Sequence, residues 1–493
     1  MRRAARSIVV GFVFGAASAS AQPEANSGAP GSPPSPAPPP AGGPLNPNGS
    51  VPAAALPEPA PPLKPRPPPE QVLPPTSGSG RVVTLAEAEA SALAHQPQIM
   101  QARAQTRASD ARVDEAFAPL LPQVQGTASY GRRTGNFVPQ AGALPGSARV
   151  TTKSSFDTYD SFNFGLTASQ LIYDFGQTSG GYHVAQANAE GQKVNEATVE
   201  LSVLLGVRTA YALAWANRAL VSVARETLEN GERHLEQIEG LVHAGARPEI
   251  DLAQVKADRA NANLQLINAE NSYATAKAQL NQSMGVEEST DYDVGGETAA
   301  PVSGEDLDER RLVGLAVETR PEMKGLEKQS EADARQLSAT KGAYGPSLGV
   351  QTSLTDGGRD LTALAWNWSA TANLTWPLFQ GGITKARIRE AEANQDVTRS
   401  QIALERQQIR LEITQARLSI RGAKAALDAS REVELNARER LRLAEARYRA
   451  GAGSIIELED AQVGATTAAG QVVQAEYGLA VARAQLAKGL GQR

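Results

Sequence analysis

The sequence predicts an α+β membrane protein. Each chain contributes four antiparallel strands to a trimeric transmembrane β-barrel, and long antiparallel coiled-coil helices to an α-barrel that continues it. Three observations carry this expectation: an internal duplication, a proline-free helical run with two opposed apolar seams, and one pair of alternating segments in each half of the chain.

The duplication is read from three matched segments. SQLIYDFGQT from Ser169 aligns with TWPLFQGGIT from Thr375, HAGARPEIDL from His243 with RAGAGSIIEL from Arg449, and AQLNQSMG from Ala278 with AQLAKGLG from Ala484, all at one offset of 206 residues. A constant offset over so long a stretch marks a structural repeat. Proline stops recur as well, with Pro97 to Pro122 and Pro321 to Pro346 each 25 residues apart.

The organising run lies between Gln380 and Gly451. From Ile402 onward, Ile409, Ile413, Ala416, Ile420, Ala423, Leu427, Ala437, Leu441, Ala444 and Tyr448 fall at alternating steps of three and four, interrupted at Arg406, Ser430 and Glu434, the seam of a left-handed coiled coil. A second series, Leu404, Leu411, Leu418 and Ala425, lies about 150° around the helix from the first. Two opposed seams with polar arcs between them describe a stave in a wall of helices. At 1.5 Å per residue this stave is about 100 Å long. The earlier long helix, from Gly181 to Val242, keeps the seam with Val221, Leu228, Leu235, Ile238 and Val242. Shorter helices, 98–118 with 249–284 and 322–342 with 455–488, are expected to stack end to end beside the long ones.

Strand-like sequence follows each proline stop. Val124, Gly126, Ala128 and Tyr130 alternate with polar neighbours, as do Phe162, Phe164, Leu166 and Ala168. In the second half Leu348, Val350 and Leu354 alternate likewise, and so do Trp366, Trp368, Ala370, Ala372, Leu374 and Trp376. An aromatic-rimmed apolar face opposite a Ser/Thr/Asn/Gln face is the dyad pattern of a transmembrane barrel, with Trp366 and Trp376 as its aromatic rim. Four strands cannot close a barrel, and lipid tolerates no open edge. A trimer of twelve strands leaves a lumen for the polar faces, which a dimer of eight would fill.

The remaining organisation follows from composition. Residues 1–21 combine Arg2, Arg3 and Arg6 with an apolar stretch and a small-residue exit, the pattern of a signal peptide. Residues 22–80 hold 21 of the 31 prolines and read as a disordered, extended linker. The first repeat covers 82–285 with a hairpin at about 122–173, an acidic, glycine-bearing connector covers 286–310, and the second repeat covers 311–491 with a hairpin at about 346–379. Cysteine is absent and the formal net charge is −5, which suits an exported protein and argues against a nucleic-acid partner. No catalytic or metal-binding constellation is present. His95, His183, His234 and His243 are scattered and are expected to be solvated or capping residues; no enzyme activity, cofactor or metal is expected.

The ordered set of features, with the PLFQGG junction at Pro377 to Gly382 and the turns HAGARPEIDL and RAGAGSIIEL, closely resembles the TolC family of outer-membrane efflux proteins. The resemblance implies an outer-membrane homotrimer with a long periplasmic helical barrel, embedded in outer-membrane lipid. It would serve as the exit duct of a tripartite efflux or type I secretion system, joined to an inner-membrane pump through a periplasmic adaptor. The alternative is a soluble periplasmic coiled-coil scaffold or adaptor, which would share the helices but not need the alternating strands.

Gly245 and Gly451 read as left-handed caps of the two tip turns, and the tips are the expected adaptor-docking surface. Glu457 and Asp460, three residues apart just past the second turn, share one helical face, and in a trimer they would stack two rings of carboxylates at the narrow end. The bland reading of Glu457 is compensation of the helix dipole. The resemblance places this pair at the closed periplasmic entrance, and places Tyr448 and Asp251 where the family has residues that hold the tips together. The family's arginine falls at Gly453 here, and Arg247 on the neighbouring turn is its candidate substitute.

Overall fold

The computed structural model describes residues 81–134, 156–287, 289–296 and 300–493; the expected signal peptide and proline-rich linker lie outside them. In chain order the elements are β1 (Val82–Val83), α1 (Leu85–His95), α2 (Pro97–Phe117), β2 (Gln123–Thr134), β3 (Thr158–Tyr173), α3 (Gln177–His243), α4 (Glu249–Met284), β4 (Asp293–Val294), α5 (Glu309–Thr319), α6 (Pro321–Gly342), β5 (Ser347–Gly358), β6 (Ala365–Thr375), α7 (Ile383–Arg449) and α8 (Ile455–Gly489).

The four long strands form one antiparallel sheet in the order β2-β3-β5-β6. Directly opposed residues point to the same face, so the register decides whether the alternation of each strand adds up across the sheet. It does: Ala128, Phe164, Asp356 and Trp366 lie in one row, and Gly126, Leu166, Leu354 and Trp368 in the next. The row Gln125, Thr167, Ser353 and Ser369 lies on the other face. One face is thus mainly apolar, with Arg132, Asp160, Gln170, Thr352 and Asp356 as polar positions on it, and the other is mainly Ser, Thr, Asn and Gln, with Leu171 and Ala365 as apolar ones. Thr352 falls on the apolar face, where its hydroxyl accepts from Trp368 Nε1 at 3.0 Å and donates to the Ser369 carbonyl at 3.2 Å. A hydroxyl facing lipid has to be satisfied internally in this way.

Each strand runs into one stave. α2 leads into β2, β3 into α3, α6 into β5 and β6 into α7. The helices keep the strand order: α3 packs against α2 and α4 on one side and against α6 and α8 on the other, while α7 packs against α6 and α8. The composite staves are closed by matching joints. Proline disfavours helix at the residue before it, so Gln96 and Arg320 are extended and end α1 and α5. The same two residues then hold the far end of the partner helix. Gln96 donates to the Ser283 carbonyl at 3.1 Å, and Arg320 donates to the Gly489 carbonyl at 2.6 Å while pairing with Glu412 at 2.7 Å.

The long helices are both 67 residues. α3 begins four residues before the sequence-based start at Gly181, because the Asp174 carboxylate accepts from the Thr178 amide at 2.7 Å and stabilises an earlier first turn. Around the middle, Val207, Tyr211, Ile99, Leu280 and Val294 form one core, and Ile409, Ile413, Leu312, Met323 and Leu486 form the equivalent core of the second half. The connector takes part in the first: β4 pairs in parallel with β1. Further on, Glu305 is clasped by Lys424 of α7 at 2.6 Å and Arg483 of α8 at 3.2 Å.

Candidate functional site

At the end of the staves opposite the sheet, two short turns reverse the chain. Both are built alike. Gly245 and Gly451 have φ of 73° and 72°, a left-handed conformation that glycine adopts without a side-chain clash. Their amides bond to the carbonyls of Val242 and Tyr448, and the next amides, of Ala246 and Ala452, bond to Leu241 and Arg447 at 2.9 Å each. This double bond pattern satisfies the last free carbonyls of each long helix. Ser454 then caps α8, accepting from the Glu457 amide at 3.1 Å.

The acidic pair sits on the first turns of α8. Glu457 is half-buried and pairs with Arg447 of α7 at 2.9 Å, whereas Asp460 is exposed and lies one turn further on. Glu457 thus braces its own turn besides occupying a helix N-terminus. Asp251, Arg247 and Tyr448 are brought together. The Arg247 guanidinium lies 4.8 Å from the centre of the Tyr448 ring and 3.9 Å from the Asp251 carboxylate. A cation over an aromatic face is attracted by the ring's quadrupole, so Arg247 ties the first tip turn to the second long helix. At Gly453 the backbone amide bonds to the Arg447 carbonyl at 3.1 Å. Trp366 and Trp376 lie far from the tips, at opposite ends of the last strand. Both are exposed, and Trp376 donates to the Tyr344 carbonyl at 3.0 Å.

The tips share a core of Ile238, Val255, Ala444, Tyr448, Leu458 and Ala461, drawn from four helices. Burial raises the Tyr448 phenol above its ordinary value, and its hydroxyl has no hydrogen-bond partner among the described residues. His234 corrects the expectation of four solvated or capping histidines. It is 9% exposed, its ring stands edge-on to Tyr448 at 5.5 Å, and burial holds its pKa below the ordinary value. The signal was in the sequence: His234 lies four residues before Ile238 on the seam of α3, and an imidazole there has nowhere to go but the interface. His95 and His243 do bond to carbonyls in their own last turns, those of Ser91 and Glu239.

Two further acids were missed. Glu459 of α8 has its carboxyl pushed up to about 7, first by burial and then by the negative charge of Asp258 on α4. Asp258 lies seven residues from Asp251 on the same face of α4, a spacing that carries meaning only once α8 is known to pack there.

The family described as outer membrane efflux protein matches residues 90–286 and 312–492, one block in each half of the duplication. The pyoverdine export outer membrane protein OpmQ of Pseudomonas aeruginosa is 27% identical over 328 residues, covering 64% of this chain and 64% of that protein. CyaE of Bordetella pertussis is 26% identical, over 66% of this chain and 65% of its own. The chain therefore spans slightly under two thirds of the length of these relatives. Among solved structures, CusC superposes with a TM-score of 0.69 at 18% identity, over 83% of this chain and 92% of that one. The CmeC outer membrane channel of Campylobacter jejuni gives 0.69 at 19% identity, over 83% and 85%. Two long helices per chain, a four-stranded sheet and a family match in both repeats agree, and the chain belongs to the outer membrane efflux protein family, whose members lie in the outer membrane.

Proposed function

We propose that three copies of this chain form a channel-tunnel through the outer membrane. It passively conducts cargo handed over by an inner-membrane pump and a periplasmic adaptor, as in tripartite efflux or type I secretion. One observation carries most of this reading: the sheet is one-sidedly apolar but open at both edges, with β2 and β6 as end strands. An open edge is not stable in lipid, and three such sheets joined edge to edge close into twelve strands with the polar face inward. The edge helix supports the same assembly. On α7, Leu404, Leu411 and Leu418 are 67%, 51% and 60% exposed, a seam that needs a neighbour from another chain.

Family members are efflux proteins rather than enzymes, and no chemistry is assigned to this chain. Relatives carry the names of pyoverdine export, solvent efflux and toluene efflux proteins. Such a range suits a lumen of Ser, Thr, Asn and Gln that makes few cargo-specific contacts. The soluble-scaffold alternative has no observation in its favour, since the apolar outer face of the sheet would be left in water.

Within this reading, Glu457 and Asp460 form the cation-attracting entrance, Asp251, Arg247 and Tyr448 hold the tips, Gly245 and Gly451 shape the surface for the adaptor, and Trp366 and Trp376 mark the two edges of the lipid band. Light scattering in mild detergent should report a trimer; a stable monomer would remove the duct. In a planar bilayer, Glu457→Ala with Asp460→Ala should lower cation selectivity with the trimer unchanged. Unaltered selectivity would return both residues to ordinary solvated carboxylates. Charged, bulky replacements at Gly245 and Gly451 should abolish export while the trimer persists, and normal export from them would move the docking surface elsewhere.

A further inference from the structure

Where strands become staves, the two repeats make matching joints, and one of these joints needs a second chain to complete it. Two anchors align the repeats there: Pro97 with Pro321 for the helices that enter the sheet, and the offset of 206 residues for the strands that leave it. One pair of hydrogen bonds satisfies both anchors at once. Gln170 of β3 donates to the Leu120 carbonyl at 2.8 Å, and at the matching places Trp376 of β6 donates to the Tyr344 carbonyl at 3.0 Å. Each hairpin thus closes on its own helix-to-strand turn in the same way.

Between the hairpins the joint is different, because there the β3–α3 junction meets the α6–β5 turn. The Phe175 ring occupies the space beside Gly345, where a Cβ would lie 2.8 Å from Phe175 Cβ, and the Phe175 carbonyl oxygen sits against Gly342 with no room for a Cβ. Just inside the staves, a Cβ on Gly180 would lie 2.6 Å from that of Ala339. Glycine is what lets backbones approach this closely. On the outer edges the matching positions reverse the pattern. Gly381 stands for Phe175, while Leu121, Ala118 and Ala386 stand for Gly345, Gly342 and Gly180. All four are exposed, and nothing lies within 4 Å of a Cβ placed on Gly381. The bulk has moved from the junction to the turn.

We propose that Leu121 of the partner subunit fills the notch over Gly381, so that the seam between protomers is keyed in the opposite sense to the seam inside each protomer. The occupant is a second copy of this chain, and the proposal rests on the trimer inferred above. The notch is continuous with the open edge of β6 and with the outward leucine series of α7. The other open edge of the sheet is β2, whose turn from α2 carries Leu121. The Cβ atoms of Ala118 and Ala386 exclude the backbone approach that Gly342 and Gly180 allow, so the seam between protomers is the wider one. Wide and tight seams then alternate around the ring. The exchange of bulk also rejects wrong neighbours: Phe175 against Leu121 would overfill the joint, and Gly381 against Gly345 would leave it empty.

The chain has no cysteine, so Leu121→Cys with Gly381→Cys reads the contact directly in the full-length protein in its membrane. The inner joint puts its two β positions 2.8 Å apart, and a slightly wider seam brings them into the range of about 3.5–4.5 Å that a disulfide needs. Oxidation with copper phenanthroline should link protomers into a covalent trimer on a non-reducing gel, absent from either single variant and reversed by reductant. A change of bulk gives an independent reading. Phe175 shows that a phenylalanine can hold this backbone, at φ 55°. Gly381→Phe should therefore keep its helical circular dichroism but raise the dissociated fraction about tenfold or more, as overpacking does. Adding Leu121→Gly and Ala118→Gly transplants the inner joint to the outer edge and should restore the trimer. A trimer by light scattering that forms no cross-link, or a dissociated Gly381→Phe variant that the two glycines do not rescue, overturns the keyed seam while the trimer stands; a wild-type monomer removes both.

Discussion

α3 and α7 occupy equivalent places in the two repeats and have the same length, yet their surroundings differ. α3 lies inside the row of staves and buries residues on two sides, Ala187, Leu201, Leu204, Val207, Tyr211 and Ile238 among them. α7 ends the row, and its buried set is a single seam through Ile409, Ile413, Ala416, Ile420 and Leu427. Its other apolar series is left facing out. Duplication supplied two copies of a stave with two sticky sides. Position in the row decided that one copy satisfies both within the chain and the other only one. The most polar of the long helices is thus the one whose remaining apolar residues matter for assembly.

The largest expected effect breaks this comparison at α7. Leu411→Glu with Leu418→Glu places unpaired carboxylates in the outer seam, and burying such charges costs about 3–5 kcal/mol when no partner is available. The trimer should be lost while the protomer keeps its helical circular dichroism; a normal trimer would mean that this seam is not an interface. Next, Ile238→Ala and Ile413→Ala remove fully buried side chains from the inner and outer stave, and each should destabilise by about 2–5 kcal/mol. Comparable losses in denaturant titrations support equal intrachain packing, whereas a negligible loss at Ile413 would make the inner seam of α7 dispensable.

The third prediction sharpens the sheet. Ala372→Arg faces the apolar side and should impair membrane assembly by about 2–4 kcal/mol if it lies near the bilayer midplane, while Thr371→Arg faces the lumen and should alter conductance only. Equal effects on assembly would refute the register. The smallest effect concerns the strand-to-stave junction. Gly381 has φ 61°, and at the matching place in the first repeat Phe175 has φ 55°. A bulky residue rarely adopts this conformation. Phe175 is retained by its ring, which packs against Tyr173 at 4.9 Å and leaves no room for a side chain at Gly345. Gly381→Ala should cost about 1 kcal/mol in thermal unfolding, and no cost at all would mean that the junction backbone adapts freely.

Local pattern was enough for much of this. The heptad steps from Ile402 to Tyr448, the alternation around Trp366 and Trp368, the constant offset of the repeats and the glycine turns at Gly245 and Gly451 are each written in neighbouring residues, because helix and strand periodicity and left-handed backbone are properties of short stretches. That determined the fold class, the strand faces and the tip turns. What only the tertiary structure decided is which stave meets which. The stacking of α3 against α6 and α8, the clasp of Glu305 by Lys424 and Arg483, the burial of His234 against Tyr448 and the approach of Asp258 to Glu459 all join residues far apart in sequence. Their charges look like ordinary solvated residues in the sequence. An acid reads the same whether it faces water or another acid, until the chain is closed around it.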